Sequence, residues 1–308
     1  MKRTIVSLLL AAVVGCSTSD GAPTGARRRI VDVHLHAFHT VPGMIDASVG
    51  LGELKFPAPA TDEDLRDESL AALRASGVVK AVVSGTADLV DRWVTDDPEL
   101  LIPGLMIGNP PAGEPLDALA PDVIRQRVRS GATMVLGEMA QQYHGLSPSD
   151  PAVAEYLALA EELEIPVHIH TAGVGAWTPG FRSAAGSPLL LEPVLTRHPN
   201  LRMYVENAGY PFLDDMLAML FQYPERLYVD VSTVIRIVPR AEFYRYLRTI
   251  IEAGYADRIM FGSDQVYWPQ TIQTSIATIE EAPFLSEEQK EAIFYGNAVR
   301  FFGLKEGM

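Results

Sequence analysis

Three of the seven histidines in this chain fall within ten residues, in the stretch "IVDVHLHAFH" at 30–39. Successive residues of a strand point to opposite faces, so His34 and His36 share one face with Asp32 before them, while Val31, Val33 and Leu35 take the other. A neutral imidazole offers a lone pair at physiological pH, which makes a His-x-His strand end a two-pronged clamp for a metal ion. Two ligands do not complete a site. Further acids and imidazoles close other apolar runs: Glu138 ends "ATMVLGEM", His170 ends "IPVHIH", Glu206 and Asn207 end "LRMYVEN", and Asp264 ends "RIMFGSD". Such groups are costly to bury unpaired, and joint coordination of a cation satisfies them. Three imidazoles and a carboxylate suit Zn²⁺ or another borderline divalent ion better than Ca²⁺ or Mg²⁺, which prefer all-oxygen shells.

These residues need a frame that brings distant strand ends together. The strand candidates are "RIVDVHLH", "VVKAVVSG", "LLIPGLMI", "ATMVLGEM", "IPVHIH", "LRMYVEN", "RLYVDVS" and "RIMFGSD". Between them lie helical patterns at 62–76, 88–97, 121–130, 151–164, 188–198, 212–223, 240–253 and 269–281. Regular alternation argues for a parallel sheet, and eight repeats argue for closure into a (β/α)8 TIM barrel, in which chemistry sits at the carboxyl ends of the strands. No glycine-rich dinucleotide fingerprint follows the first strand to favour an open sheet.

The N-terminus reads as a secretory signal: basic Lys2 and Arg3, an apolar run over 5–14, then Gly15 before Cys16. The apolar run is too short to span a membrane. "VVGC" resembles the lipobox of bacterial lipoproteins, which makes Cys16, the only cysteine, the expected site of lipidation. The expected organisation is therefore a signal peptide over 1–15, a tether over 16–28 of small and polar residues, and one barrel domain over 29–308. That places the protein in a bacterial cell envelope. Ser17 after the cysteine implies the periplasmic face of the outer membrane. The formal charge of −14 becomes more negative once Lys2 and Arg3 are removed. Such a surface disfavours nucleic acid and anionic headgroups as partners, so the lipid anchor is the only membrane contact expected, and the expected partner is a small-molecule substrate.

In combination, "VDVHLH", "EIPVHIHTAG", "HPNLRMYVENAGYP", "RIMFGSDQ" and "IFYGNAVRFFGL" resemble the amidohydrolase superfamily. More narrowly they resemble its amidohydrolase-2 branch, which includes aminocarboxymuconate-semialdehyde decarboxylases and pyrone-dicarboxylate lactonase-like hydrolases. The resemblance implies a distorted barrel with His34, His36, His170 and Asp264 on the metal, and a chain that often forms homodimers. One position departs from the pattern: the family's strand-six histidine, which binds a second metal or polarises the substrate, is Asn207 here. Asn207 could still donate a hydrogen bond to a substrate oxygen. Glu206 falls on the opposite face unless the strand has already ended. Glu138 is either a further metal ligand or an acid tied to a basic neighbour.

The remaining candidates each carry a structural alternative. Asp32 either orients a ligand histidine or caps the strand-one turn. His168, one pleat deeper than His170, is a barrel-interior group or a support for the ligands. His198 ends a helix and His39 and His144 lie in loops, the last two within reach of substrate. Trp177, Tyr267 and Trp268 wall the pocket or cap the rim, and Arg182 and Arg236 are candidates for recognising a carboxylate. The expected chemistry is hydrolysis of an amide, ester or lactone, with a divalent ion activating water and Asp264 moving the proton. Non-oxidative decarboxylation is the second reading. A degenerate barrel acting as a surface binding protein is the third.

Overall fold

All eight of the expected runs pair side by side as parallel strands in sequence order. They are β1 (Ile30–Ala37), β2 (Val78–Gly85), β3 (Leu101–Ile107), β4 (Val135–Met139), β5 (Val167–Ile169), β6 (Met203–Val205), β7 (Leu227–Asp230) and β8 (Ile259–Met260). The structure, a computed structural model, describes residues 28–108, 118–173 and 179–305. The ends of the sheet meet through two backbone bonds, Val33 N–H to the Phe261 carbonyl at 2.9 Å and Asp264 N–H to the His34 carbonyl at 2.8 Å. Side chains finish the seam. Gln265 accepts from His36 N–H at 2.8 Å and donates to the His36 carbonyl at 2.6 Å, standing in for a strand neighbour. The result is a (β/α)8 barrel, distorted where β8 shrinks to two residues.

Local sequence sets the helix bounds. The helix α1 (Asp62–Ser76) starts at Thr61, whose hydroxyl accepts from Asp64 N–H, and stops at Gly77 in the left-handed region. The helices α2 (Ala87–Asp96), α3 (Pro121–Ser130), α4 (Pro151–Glu162), α6 (Leu213–Gln222), α8 (Arg240–Glu252) and α9 (Gln270–Glu280) fall within two residues of expectation. The helix expected over 188–198 is divided into a 3₁₀ turn at Pro188–Leu191 and α5 (Glu192–Arg197). Pro193 has no N–H to donate to residue 189, so one continuous α-helix cannot run through it. Three short helices lie outside the regular alternation: α7 (Val234–Ile237), α10 (Glu287–Glu291) and α11 (Asn297–Phe302). After β1 the chain also makes an excursion, pinned by a two-stranded pairing of Ile45–Asp46 with Phe56–Pro57.

A large apolar cluster fills the space between strands and helices, and Leu35 belongs to it. Val31 and Val33 instead join a second cluster with Val82, Ile102, Tyr204 and Phe301, and the register of β1 is irregular between Asp32 and Leu35. Tyr204 links this cluster to the polar end of the barrel. Its hydroxyl donates to the Val33 carbonyl at 3.0 Å and its ring stacks on His168 with centroids 4.2 Å apart. At the other end of β1, Arg28 is held by Glu280, Glu287 and Glu291, so the chain enters the barrel opposite the mouth.

β4 and β5 approach too closely for any side chain at Gly137. An added Cβ would lie 2.3 Å from the His168 carbonyl oxygen, and φ is +140°. Gly137→Ala is therefore expected to destabilise the fold by about 2–4 kcal/mol, read as a lower midpoint in urea unfolding.

Candidate active site

The end of β1 delivers His34 and His36 with their Nε2 atoms 3.1 Å apart. Two imidazole nitrogens at that distance either share a proton or aim both lone pairs at one cation. Around them, His36 Nε2 lies 3.1 Å from Asp264 Oδ1 and 3.3 Å from Glu138 Oε2, and His34 Nε2 lies 3.7 and 3.8 Å from the same two atoms. Donors bound about 2.1 Å from a tetrahedral ion stand roughly 3.4 Å from one another, so this spacing matches a shared ion. Asp264 sits in the left-handed region at φ 44°, pinned by its N–H on the His34 carbonyl and by Arg236 Nη2, which donates to the Asp264 carbonyl at 2.8 Å.

The other half of the mouth comes from β4, β5 and β6. Gln142 Oε1 lies 3.0 Å from His170 Nδ1, which fixes that nitrogen as the donor and leaves Nε2 facing Glu206 Oε1 at 3.7 Å and the Tyr143 hydroxyl at 3.2 Å. Alternation predicts Glu206 on the far face had the strand continued. It does not continue: β6 stops at Val205, and Asn207 and Ala208 adopt left-handed φ values of 57° and 49°. The turn swings Glu206 into the mouth. Asn207, expected to touch substrate, has both ends of its amide engaged in the protein. Nδ2 donates to Glu206 Oε1 at 2.8 Å and Oδ1 accepts from Val234 N–H at 2.7 Å.

Charge makes the site receptive to a cation. Glu138 and Glu206, each buried, bring oxygens within 4.8 Å of each other and of His170. Like charges at that range repel by about 3 kcal/mol at an effective dielectric near 20. Burial, then the neighbouring charge of Glu138, pushes the Glu206 carboxyl well above its ordinary range. Burial would raise Glu138 too, but His34, His36 and His170 outweigh it and hold that carboxyl far down. Burial opposes charge on His34, yet Asp264, Asp230 and Glu138 lift its imidazole well above the usual value. The negative field that draws a proton there draws a metal ion too. Asp264 Oδ1 and Glu206 Oε2 are buried with no hydrogen-bond partner. Two groups of three, His34, His36 and Asp264 on one side and Glu138, His170 and Glu206 on the other, each have donor atoms within 4.8 Å of one another, and each fits a divalent ion by spacing, donor chemistry and unmet polar atoms.

Asp230, at the end of β7, is a central residue that is not among the sequence candidates. Its Oδ2 lies 3.0 Å from His168 Nε2 and 3.4 Å from His34 Nδ1, and its Oδ1 accepts from Asn207 N–H, Ser232 N–H and the Ser232 hydroxyl. The signal was available, since "YVDVS" ends in an acid like the other strands. Burial and then His34 lower the pKa of His168 to about 4 despite Asp230, which favours its neutral form. Asp32 accepts from His34 N–H and Ser263 N–H, which ties β1 to the segment after β8. Burial lifts its pKa to about 6 against the pull of Ser263.

The outlying candidates lie as follows. Arg182 is exposed and donates to the Pro179 and Phe181 carbonyls, whereas Arg236 is buried between Asp46 and Asp264. His144 ends the 3₁₀ turn that carries Gln142 and Tyr143. His39 is exposed and pairs with Asp62, and His198 pairs with Glu161. Trp268 donates to the Met44 carbonyl, while Phe38 stacks on His36 and Tyr267 packs near Phe38. Cys16 and Trp177 lie outside the described residues. Because Asp230 orients His34, Asp230→Asn is expected to weaken divalent-metal binding about 10–100-fold, measured by calorimetric titration.

Solved structures with this architecture include a "probable 2-pyrone-4,6-dicarboxylic acid hydrolase" from Acinetobacter baumannii, with 13% identity over 89% of this chain and 99% of that one and a TM-score of 0.65. A 2,6-dihydroxybenzoate decarboxylase from Rhizobium matches at 14% identity over 90% and 98%, TM-score 0.58. A 5-carboxyvanillate decarboxylase from Sphingomonas paucimobilis matches at 18% over 90% and 99%, TM-score 0.57. At these identities the likeness is one of fold. No curated protein matches the chain by sequence. The amidohydrolase family model matches residues 31–304, a span that holds every residue of the mouth described above. The chain belongs to the amidohydrolase family, a family of enzymes.

Proposed function

We propose that this enzyme uses a divalent ion, with zinc the first candidate, to hydrolyse an amide, ester or lactone bond of a small molecule. The observation that carries this reading is Asp264 Oδ1, a buried carboxylate oxygen without a hydrogen bond, 3.1 Å from His36 Nε2. His34, His36 and Asp264, with Glu138 and His170 beside them, would hold the ion, which when bound would supply Lewis acidity to a substrate carbonyl and acidify water at neutral pH. Asp264 accepts the proton as water adds to the carbonyl and passes it to the leaving group. Its backbone and second oxygen are steadied by Arg236, so the proton-accepting oxygen keeps one position. The Tyr143 hydroxyl, beside His170, is placed to donate to a substrate oxygen, and Phe38 and Phe181 give that space apolar walls.

The competing reaction is decarboxylation. Both arginines considered for carboxylate recognition are engaged, Arg182 with backbone carbonyls and Arg236 with Asp46, which favours a substrate that presents a carbonyl over one that presents free carboxylates. Assays of the metal-loaded enzyme in ¹⁸O-water against lactones, esters, amides and aromatic acids separate the two. Incorporation of label into the organic product supports hydrolysis, and release of CO₂ with no label in the remaining organic product supports decarboxylation. Asp264→Asn that still holds metal is expected to lose about 10²–10⁴-fold in kcat. Full turnover by that variant would remove Asp264 from the proton-accepting role.

The proposed setting is the cell envelope, with Cys16 lipidated. Arg28, next to the expected tether, is fixed at the end of the barrel opposite the mouth, so a tether joined there would leave the mouth clear of the anchor. Among the described residues no helix is long and apolar enough to cross a membrane. Cys16→Ala is expected to move the protein from the membrane fraction to the soluble fraction on cell fractionation.

A further inference from the structure

We infer that Asp46 and Arg236 are a positioning pair that couples docking of the excursion after β1 to the hold that Asp264 has on a cation. The inference rests on the reading of the mouth as a cation site.

Arg236 is 5% exposed, and its guanidinium lies between two carboxylates that are equally buried. Nη1 donates to Asp46 Oδ2 at 3.0 Å, while Nη2 donates to the Asp264 carbonyl at 2.8 Å and stands 3.7 Å from Asp264 Oδ2. Asp46 belongs to the excursion and is itself fixed, because Oδ1 accepts from Ser48 N–H at 3.0 Å and from the Ser48 hydroxyl. Two further contacts press the excursion onto the same region. Trp268, four residues past Asp264, donates from Nε1 to the Met44 carbonyl at 3.0 Å. Gly50 lies so close to α7 that a Cβ there would come within 2.5 Å of the Arg236 carbonyl oxygen and 2.6 Å of that of Val238.

A buried guanidinium needs a carboxylate partner, and here that partner is Asp46. While the pair holds, Arg236 grips Asp264 mainly by its backbone carbonyl and leaves Oδ1 toward the imidazoles. Without the Asp46 charge, the nearest carboxylate is Asp264 itself, and a guanidinium that closes the 3.7 Å gap draws that side chain away from His36. Asp264 and Val266 both hold left-handed φ values, 44° and 48°, so this segment keeps its shape only where neighbours fix it. Coupling of this kind is reciprocal: if docking strengthens cation binding, the cation strengthens docking by the same factor.

Zn²⁺ titration and hydrogen exchange test the pair. The expected results are that Zn²⁺ slows amide exchange across residues 41–58 of the unaltered protein, and that Asp46→Asn weakens Zn²⁺ binding about 10–100-fold and removes the slowing. Asp46→Glu is expected to recover part of both effects. If Zn²⁺ binds but leaves exchange over 41–58 unchanged, the coupling is overturned while the cation site stands, and this holds even if Asp46→Asn does not fold. If Asp46→Asn binds Zn²⁺ as tightly as the unaltered protein, the pair has no positioning role. If the unaltered protein binds no divalent ion, the cation site itself is overturned and the inference with it.

Discussion

Negative charge gathered where water is scarce is the constraint around which the mouth is built. Glu138, Glu206, Asp230 and Asp264 are buried together at one end of the barrel. Among the described residues the one buried guanidinium, Arg236, is shared with a further acid, Asp46. Uncompensated carboxylates in such a place cost several kcal/mol each. Asp230 is neutralised by donors, since it takes hydrogen bonds from two backbone amides, a hydroxyl and His168. Asp264 and Glu206 each keep one buried oxygen, Oδ1 and Oε2, without a hydrogen bond, and Glu138 depends on the imidazoles of His34, His36 and His170 for its compensation. A divalent ion is the compensation that suits this donor set.

Closing the barrel and building the site are one problem with one set of residues. β8 is too short to ladder along β1, so the seam depends on Asp32, on Gln265 and on the backbone around Asp264. Asp32 binds the N–H groups of His34 and Ser263, and Gln265 grips both backbone polar groups of His36. Ligands on the first and last strands are therefore positioned by the bonds that hold the sheet shut. Loosening the seam would move His34, His36 and Asp264 relative to one another, because the seam bonds lie within a residue or two of each.

Much of this arrangement could be read from the chain. Alternating β-branched runs and amphipathic stretches carry the (β/α)8 order, because strand and helix periods differ and each is set locally. The rule that polar residues at strand ends collect at the mouth located Glu138, His170 and Asp264. Applied to "YVDVS" it would have located Asp230 as well. What could not be read depends on backbone geometry or on contacts between distant segments. Gln142 and Gln265 look like ordinary loop residues until the fold sets one beside His170 and the other beside β1. Arg236 looks like a candidate for an anionic substrate until Asp46, 190 residues earlier, is brought against it.

Position 207 shows how one residue can change the balance of a site without touching what binds there. Asparagine tolerates the left-handed region that bulkier side chains avoid, so the chain can turn directly after Val205. The turn carries Glu206 inward, and the same amide then hydrogen-bonds the carboxylate it has delivered. Where the family pattern places an imidazole, this chain offers an oxygen one residue earlier. The donor set thereby shifts from nitrogen toward oxygen on the side of His170, and oxygen-rich sets hold harder ions such as Mn²⁺ more readily than nitrogen-rich ones. The donor set of the mouth is thus set in part by a backbone conformation at Asn207, and His34, His36 and His170 do not define it alone.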